Sequence, residues 1–309
     1  MIPITIIGAG MAGLACARRL TEAGLEPILL DKGRGIGGRV ATRRVENMQF
    51  DHGAQYVTAH DPNFAAILQE QQTAGALVDW PDDSGRPRSV GRPSMSALAK
   101  ALGGGLDVRQ GVQVTRVTQT RKGWELHMGD SLLQTRRVII TVPAPQVAGL
   151  LGSDHPLTVA IAPVRMAPSL TLMAALTAPT GFTSRQDPED PLTWIAQDNS
   201  KPGRPQGAPL WVAQASQGFS EIHLEKDPTA ITNAMLPLLC DRLGVTADRV
   251  IYASAHRWRY ARVTQALGRP FLTNVDGTLH LGGDWCIGPR VEAAWQSGTA
   301  IAEDILAHT

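Results

Sequence analysis

The chain has 309 residues, 43% hydrophobic and 18% charged, with a formal net charge of +1. That is enough apolar residue for a sizeable core in two domains or one large α/β body, and too little charge to draw the chain to nucleic acid or anionic lipid. Three cysteines, Cys16, Cys240 and Cys286, show no metal-type spacing; they argue against a disulfide framework and fit a reducing cytoplasm.

Residues 2–7 form a short β-branched apolar run, read as a buried parallel strand. No basic residues precede this apolar start, and three glycines interrupt it by residue 13, so it does not read as a secretory signal. No stretch is apolar and long enough to span a bilayer, and the expectation is a soluble, untargeted protein. Residues 11–23 are helix formers stopped by Gly24, and 27–30 is a second strand closed by Asp31, which completes a β-α-β unit. Helices are predicted over 62–72 and 94–102, with loops and short strands between, and 107–117 with 124–128 as a hairpin. Residues 138–142 return to the first sheet. Beyond 150, prolines 163, 168, 179, 188 and 191 separate β-like runs at 170–176, 192–196 and 210–215, followed by a helix over 229–243. A last strand at 279–282 and a closing helix over 291–306 complete the chain. We therefore expect two interleaved domains: one built from 1–60, 98–148 and 255–309, the other from 61–97 and 149–254.

Two glycine motifs carry the chemistry. Gly8, Gly10 and Gly13 stand where strand turns into helix: the first for a tight turn, the second for close approach to a pyrophosphate, the third for helix packing. The helix start offers free N–H groups and a positive dipole end. Asp31 follows at the distance of a ribose-diol acceptor. Gly37 and Gly38 then bring a second stretch of backbone to the same phosphates, with Arg39 as a charge-assisted donor. At the other end, Gly283-Asp284 offers a carboxylate to a ribityl chain, which NAD lacks. Arg290, Val291 and Glu292 open the last helix, whose N–H groups suit the pyrimidine edge of a flavin. Together these favour FAD. His52 has no ligand-spaced partner, so no metal site is expected.

The runs 8–13, 31–39, 50–56 and 282–298 resemble the flavin-containing amine oxidase superfamily, and within it bacterial renalase-like oxidoreductases; 256–261 resembles that subgroup as well. The resemblance implies a Rossmann-type, p-hydroxybenzoate-hydroxylase-like FAD domain interleaved with a mixed α+β substrate domain, and FAD held non-covalently. It extends the cofactor set to Met11, Ala12, Lys32, His52, Gly53, Ala54 and Val114, the last through its backbone at the adenine. It also implies oxidation of 2- or 6-dihydro isomers of NAD(P)H, with electrons passed to O2 to give H2O2 and NAD(P)+. Amine oxidases of this superfamily usually carry a tyrosine near the last helix, where this chain has Arg290, a poor host for an ammonium group.

A dihydropyridine gives up hydride without a general base, so the protein would supply placement and exclusion of water. Gln55, Tyr56, Trp194, His256 and Trp258 are expected to line the flavin face, with Gln55 bonding a carboxamide; Trp194 and Trp258 read equally well as core residues. Arg257, Arg259 and Arg262 form a basic cluster that would either meet a substrate phosphate or stay solvated. Cys286 leaves a covalent flavin link conceivable. Two further readings stay open: an amine oxidase or desaturase on another small substrate, and a non-catalytic flavin-binding protein.

Overall fold

The computed structural model describes residues 1–177 and 181–308; Pro179, read above as part of a turn, lies outside them. β1 (Ile2–Ile7), α1 (Met11–Glu22) and β2 (Ile28–Asp31) make the expected β-α-β unit, with β1 and β2 parallel. Two short hairpins follow, β3 (Arg43–Val45) with β4 (Met48–Phe50) and β5 (Leu77–Asp79) with β6 (Ser89–Gly91), each leading into a helix, α2 (Pro62–Thr73) and α3 (Met95–Leu102). Next come β7 (Asp107–Gln110), β8 (Arg116–Thr120), β9 (Gly123–Met128) and β10 (Ser131–Ile140). The predicted strand over 107–117 is two strands. β7 lies parallel to β2, whereas β8 forms the hairpin with β9. The chain breaks at Gly111, whose amide goes to the Gly33 carbonyl at 2.9 Å. Alternation shows that a strand exists but not which neighbour it pairs with.

The remaining elements are α4 (Ala144–Leu151), α5 (Pro156–Ala160), β11 (Arg165–Leu176), β12 (Ser184–Gln186), β13 (Trp194–Gln197), β14 (Leu210–Gln214), α6 (Gln217–His223), α7 (Pro228–Leu243), β15 (Val250–Gln265), β16 (Phe271–Thr273), β17 (Leu279–Gly282) and α8 (Val291–Ala307). The main path of the first sheet runs β16-β17-β10-β1-β2-β7, parallel except for β16, and the β8–β9 hairpin joins the sheet antiparallel along β10. Along β10, Val138 and Ile140 enter one core cluster and Ile139 the other. Burial on both faces is why this segment reads as an unbroken apolar run.

The second sheet runs β12-β13-β14-β11-β15, antiparallel throughout. Leu172 and Ala174 pack with Ile231, Met235 and Leu239 of α7, while the alternate residues Met173 and Ala175 pack with Phe50 and Val212. The long strand β15 straddles the boundary expected at 254/255, and α3 straddles the one expected at 97/98. β15 escaped sequence reading because its charged and aromatic middle, His256 to Arg262, carries little apolar signal.

β15 is also irregular where it matters. Ala167 pairs with Arg262 and Ser169 with Trp258, so Pro168 alone faces residues 259–261. Proline has no N–H to donate to the ladder, and the strand opposite bulges.

Candidate active site

The carboxyl ends of β1 and β2 open into a cleft of about 1280 Å³, whose other wall comes from β11, β14 and β15. Ligands of open α/β sheets bind at this end. Gly8 turns the chain at φ +107°, in the left-handed region that favours glycine. A Cβ on Gly13 would lie 2.0 Å from the Gly8 carbonyl oxygen, so only glycine lets α1 sit this close to the turn. Gly10, Met11 and Ala12 line the cleft, and nothing lies within 4 Å of where a Gly10 Cβ would be. No side chain caps α1 and its first turn holds no acid. Bare backbone and uncapped amides thus fit a pyrophosphate. Asp31 ends β2 at the cleft; its carboxylate accepts from the amides of Ala9 (2.7 Å) and Gly33 (2.6 Å), which fixes its orientation. Lys32, Gly37, Gly38, Gly53, Ala54 and Val114 also line it.

Arg39 and Asp284, read from the sequence as holding separate parts of a cofactor, are paired with each other. Arg39 donates through Nη1 and Nη2 to the two Asp284 carboxylate oxygens at 2.8 and 2.6 Å, and Nη1 also donates to the Ala261 carbonyl at 2.9 Å. The bulge opposite Pro168 leaves that carbonyl outside the regular register. Gly283, Arg290 and Val291 line the same end of the cleft.

Beside them stand His256 and Trp258 of β15. The Trp258 indole N–H donates to the His52 carbonyl at 2.8 Å, and the His52 ring stacks behind it with centroids 5.2 Å apart. His256 meets Trp258 edge-on at 4.4 Å. Burial pushes both imidazoles down to about 4, helped at His52 by His256 and at both by Arg43. Both rings are neutral at pH 7, which suits a surface for an uncharged or cation-forming heterocycle and not an acid catalyst.

Several expected residues point elsewhere. Gln55 is 5% exposed and absent from the cleft lining; its amide nitrogen donates to the Asp51 and Gly53 carbonyls, and its oxygen accepts from Lys201 at 3.2 Å, so both ends are held in the interior. Tyr56 and Trp194 do not reach the cleft. They sandwich the buried Arg88 guanidinium, 4.4 and 4.8 Å from the two ring centroids, because Trp194 follows Thr193, which takes the cleft face, in an extended chain. Glu292 is buried, and one oxygen accepts from the amides of His60 and Asp61, both at 2.6 Å; its side chain ties a loop to α8. Gly13 and His52 lie one layer behind the lining. Cys286 is fully buried off the cleft, and burial pushes its thiol up to about 12. That is no environment for a thioether, in keeping with non-covalent FAD.

Sequence reading missed two features. Gln214 lines the cleft from β14 and anchors there by donating to the Gly53 carbonyl at 2.7 Å, which leaves its side-chain oxygen for a ligand. A closed ion cluster lies beneath the Gly53 turn: Lys201 donates to Asp198 at 2.7 Å, Arg204 to Asp51 at 2.6 Å, and Asp198 accepts from the Asp51 amide at 3.1 Å. All four charged residues are buried. Burial pushes the Asp51 carboxyl up, but Lys201 and Arg204 outweigh it and hold it below the usual range. Asp198 is held above that range by burial and by Asp51. Asp51 lies 147, 150 and 153 positions from Asp198, Lys201 and Arg204, and no local pattern announces that they meet.

Among the described residues no helix is long and apolar enough to cross a membrane. Residues 6–70 match the model of an NAD(P)-binding Rossmann-like domain, and 78–306 that of the flavin containing amine oxidoreductases. Short matches join the chain to amine oxidase [flavin-containing] A of Sus scrofa (38% identity over 58 residues, 18% of this chain and 11% of that protein) and to (S)-6-hydroxynicotine oxidase of Paenarthrobacter nicotinovorans (36% over 72 residues, 22% and 17%). The chain therefore spans under a fifth of the curated relatives it matches. Among solved structures it resembles cyclohexylamine oxidase from Brevibacterium oxydans IH-35A (TM-score 0.76, 13% identity, 99% of both chains) and putrescine oxidase bound to putrescine (TM-score 0.68, 14% identity, 99% of both). At these identities the likeness concerns the fold. With a family match over more than half its length and a cleft shaped for a dinucleotide, the chain belongs to the flavin-containing amine oxidoreductase family, and its cofactor is FAD.

Proposed function

We propose that the protein is an FAD-dependent oxidase that takes a hydride from 2- or 6-dihydro isomers of NAD(P)H, returns NAD(P)+ and passes the electrons to O2 to give H2O2. One observation carries this reading. Among the described residues lining the cleft, the acids are Asp31 and Asp284 alone, the first spent on backbone amides and the second on Arg39. An ammonium substrate would find no free carboxylate there, and Arg262 and Arg290 would repel it. A dinucleotide carries the opposite charge.

Bound FAD supplies the hydride acceptor and the route to oxygen. The chain's own residues place the donor. Trp258, locked by its bond to the His52 carbonyl, offers a ring face for the nicotinamide. The free oxygen of Gln214 takes the carboxamide role expected of Gln55. Neutral His256 adds an uncharged wall beside a ring that becomes a cation as it loses hydride. No residue has to remove a proton, which agrees with a cleft that holds no unpaired carboxylate.

The family and the substrates printed in its relatives' names favour a second reading, an amine oxidase or desaturase on another small molecule. Anaerobic mixing of the yellow protein with borohydride-treated NAD separates the readings. Rapid bleaching by a minor dihydro isomer supports the first, bleaching by amines alone supports the second, and no bleaching leaves a flavin-binding protein without this activity.

A further inference from the structure

We propose that Arg262 and Arg290 form an anion subsite that takes the pyrophosphate of a dinucleotide substrate; this rests on the dihydronicotinamide reading and adds where the far end of that substrate is held. Four arginines line the substrate end of the cleft from β15 and α8, and the structure separates them. Arg259 makes a two-pronged pair with Glu225 at 2.6 and 2.9 Å. Arg257 donates to the Leu224 carbonyl at 2.6 Å and lies 3.5 Å from Glu225. Both are occupied. Arg262 has no partner among the described residues, and Arg290 has only a loose one, Glu292 at 3.6 Å.

Backbone geometry brings these two together. Residue 262 follows Ala261, whose carbonyl is 2.9 Å from Arg39, and Arg39 grips Asp284 at 2.6 Å. The Asp284 carbonyl in turn accepts from the Gly288 amide at 2.7 Å, two residues before Arg290. The bulge at Pro168 and the turn before α8 therefore bring the backbone at 262 and at 290 to the same end of the cleft, which both residues line. The pyrophosphate of FAD itself is served elsewhere, by the glycine turn and the uncapped start of α1. One unpaired planar fork, Arg262, beside one that is only loosely held, Arg290, fits a second pyrophosphate, since guanidinium matches phosphate oxygens in pairs.

The test uses FAD-loaded protein and ADP-ribose, which has the pyrophosphate but no nicotinamide, with binding followed by calorimetry. Wild type should bind saturably and more weakly as salt rises. Arg262→Gln and Arg290→Gln should each raise Kd about tenfold and the double variant more, as expected for losing charge-assisted bonds. Arg259→Gln, already engaged by Glu225, should change Kd less than threefold. Absence of ADP-ribose binding to wild type, or an equal loss in Arg259→Gln, overturns the proposal. A dihydro isomer of nicotinamide riboside, which has no phosphate, should bleach wild type and Arg262→Gln at rates within about threefold; a large loss in the variant would mean that Arg262 acts on the ring and not on phosphate. If ADP-ribose binds as expected while no dihydro isomer bleaches the flavin, the oxidase reading falls and the anion subsite stands.

Discussion

Arg39 and Asp284, 245 residues apart in sequence, meet as a two-pronged ion pair, and the Ala261 carbonyl completes the grip. One guanidinium thus joins the first glycine-rich loop, the last helix's approach and the second sheet. The Asp284 side chain is 7% exposed and that of Arg39 30%, so Asp284 depends on its partner more than the reverse. Arg39→Met should cost about 1–3 kcal/mol, below the full value for a buried pair because water reaches one side. FAD should be lost on gel filtration while wild type stays yellow. Arg39→Lys should recover little, since an ammonium cannot make the fork.

The neutral imidazole of His256 makes a kinetic prediction. Its titration lies near 4, so it cannot switch between pH 5.5 and 8. Flavin reduction at saturating substrate should vary less than about threefold over that range, in wild type and in His256→Ala alike. A loss of several orders of magnitude in the variant would establish the ring as an obligatory base.

Stability should respond to acid through the same residues. Between the ordinary histidine value of 6.5 and about 4, the unfolded chain binds protons at His52 and His256 that the folded chain refuses. Acidification through that window therefore removes stability, and above pH 6.5 the contribution is constant. The urea midpoint should fall between pH 7 and pH 5 in wild type, and fall less in a variant carrying His52→Asn and His256→Gln.

Lys201→Met tests the ion cluster. It leaves Asp198 and Asp51, both fully buried, sharing Arg204 alone, and should cost about 3–5 kcal/mol by urea unfolding. With its carboxyl already held high by burial, Asp198 should then titrate in the variant, so that stability drops as pH rises through its folded value.

Pro168→Ala restores a donor at the bulge. The strand should regain register, draw the Ala261 carbonyl away from Arg39, and weaken FAD binding about tenfold while the melting temperature moves by only a few degrees. Unchanged FAD affinity would show that the bulge does not set this contact.

The glycine turn and its helix were legible in the sequence because each part is local: a strand, a tight turn, a packing glycine and an acid one strand later. The opposing motif at 283–292 was legible for the same reason. Tertiary structure decided what the side chains do. Asp284 and Arg39 carry opposite charges in motifs at opposite ends of the chain, and only folding shows that they meet. Gln55, Tyr56 and Trp194 have the chemistry of site residues, but distant cations hold them away from the cleft, Lys201 for Gln55 and Arg88 for Tyr56 and Trp194. Lys201, Asp198, Asp51 and Arg204 carry no shared motif, since burial makes them a unit and sequence spacing does not record burial. The cofactor class follows from short-range backbone pattern; which arginines stand free follows from long-range pairing, because a charge is available only when nothing distant has already taken it.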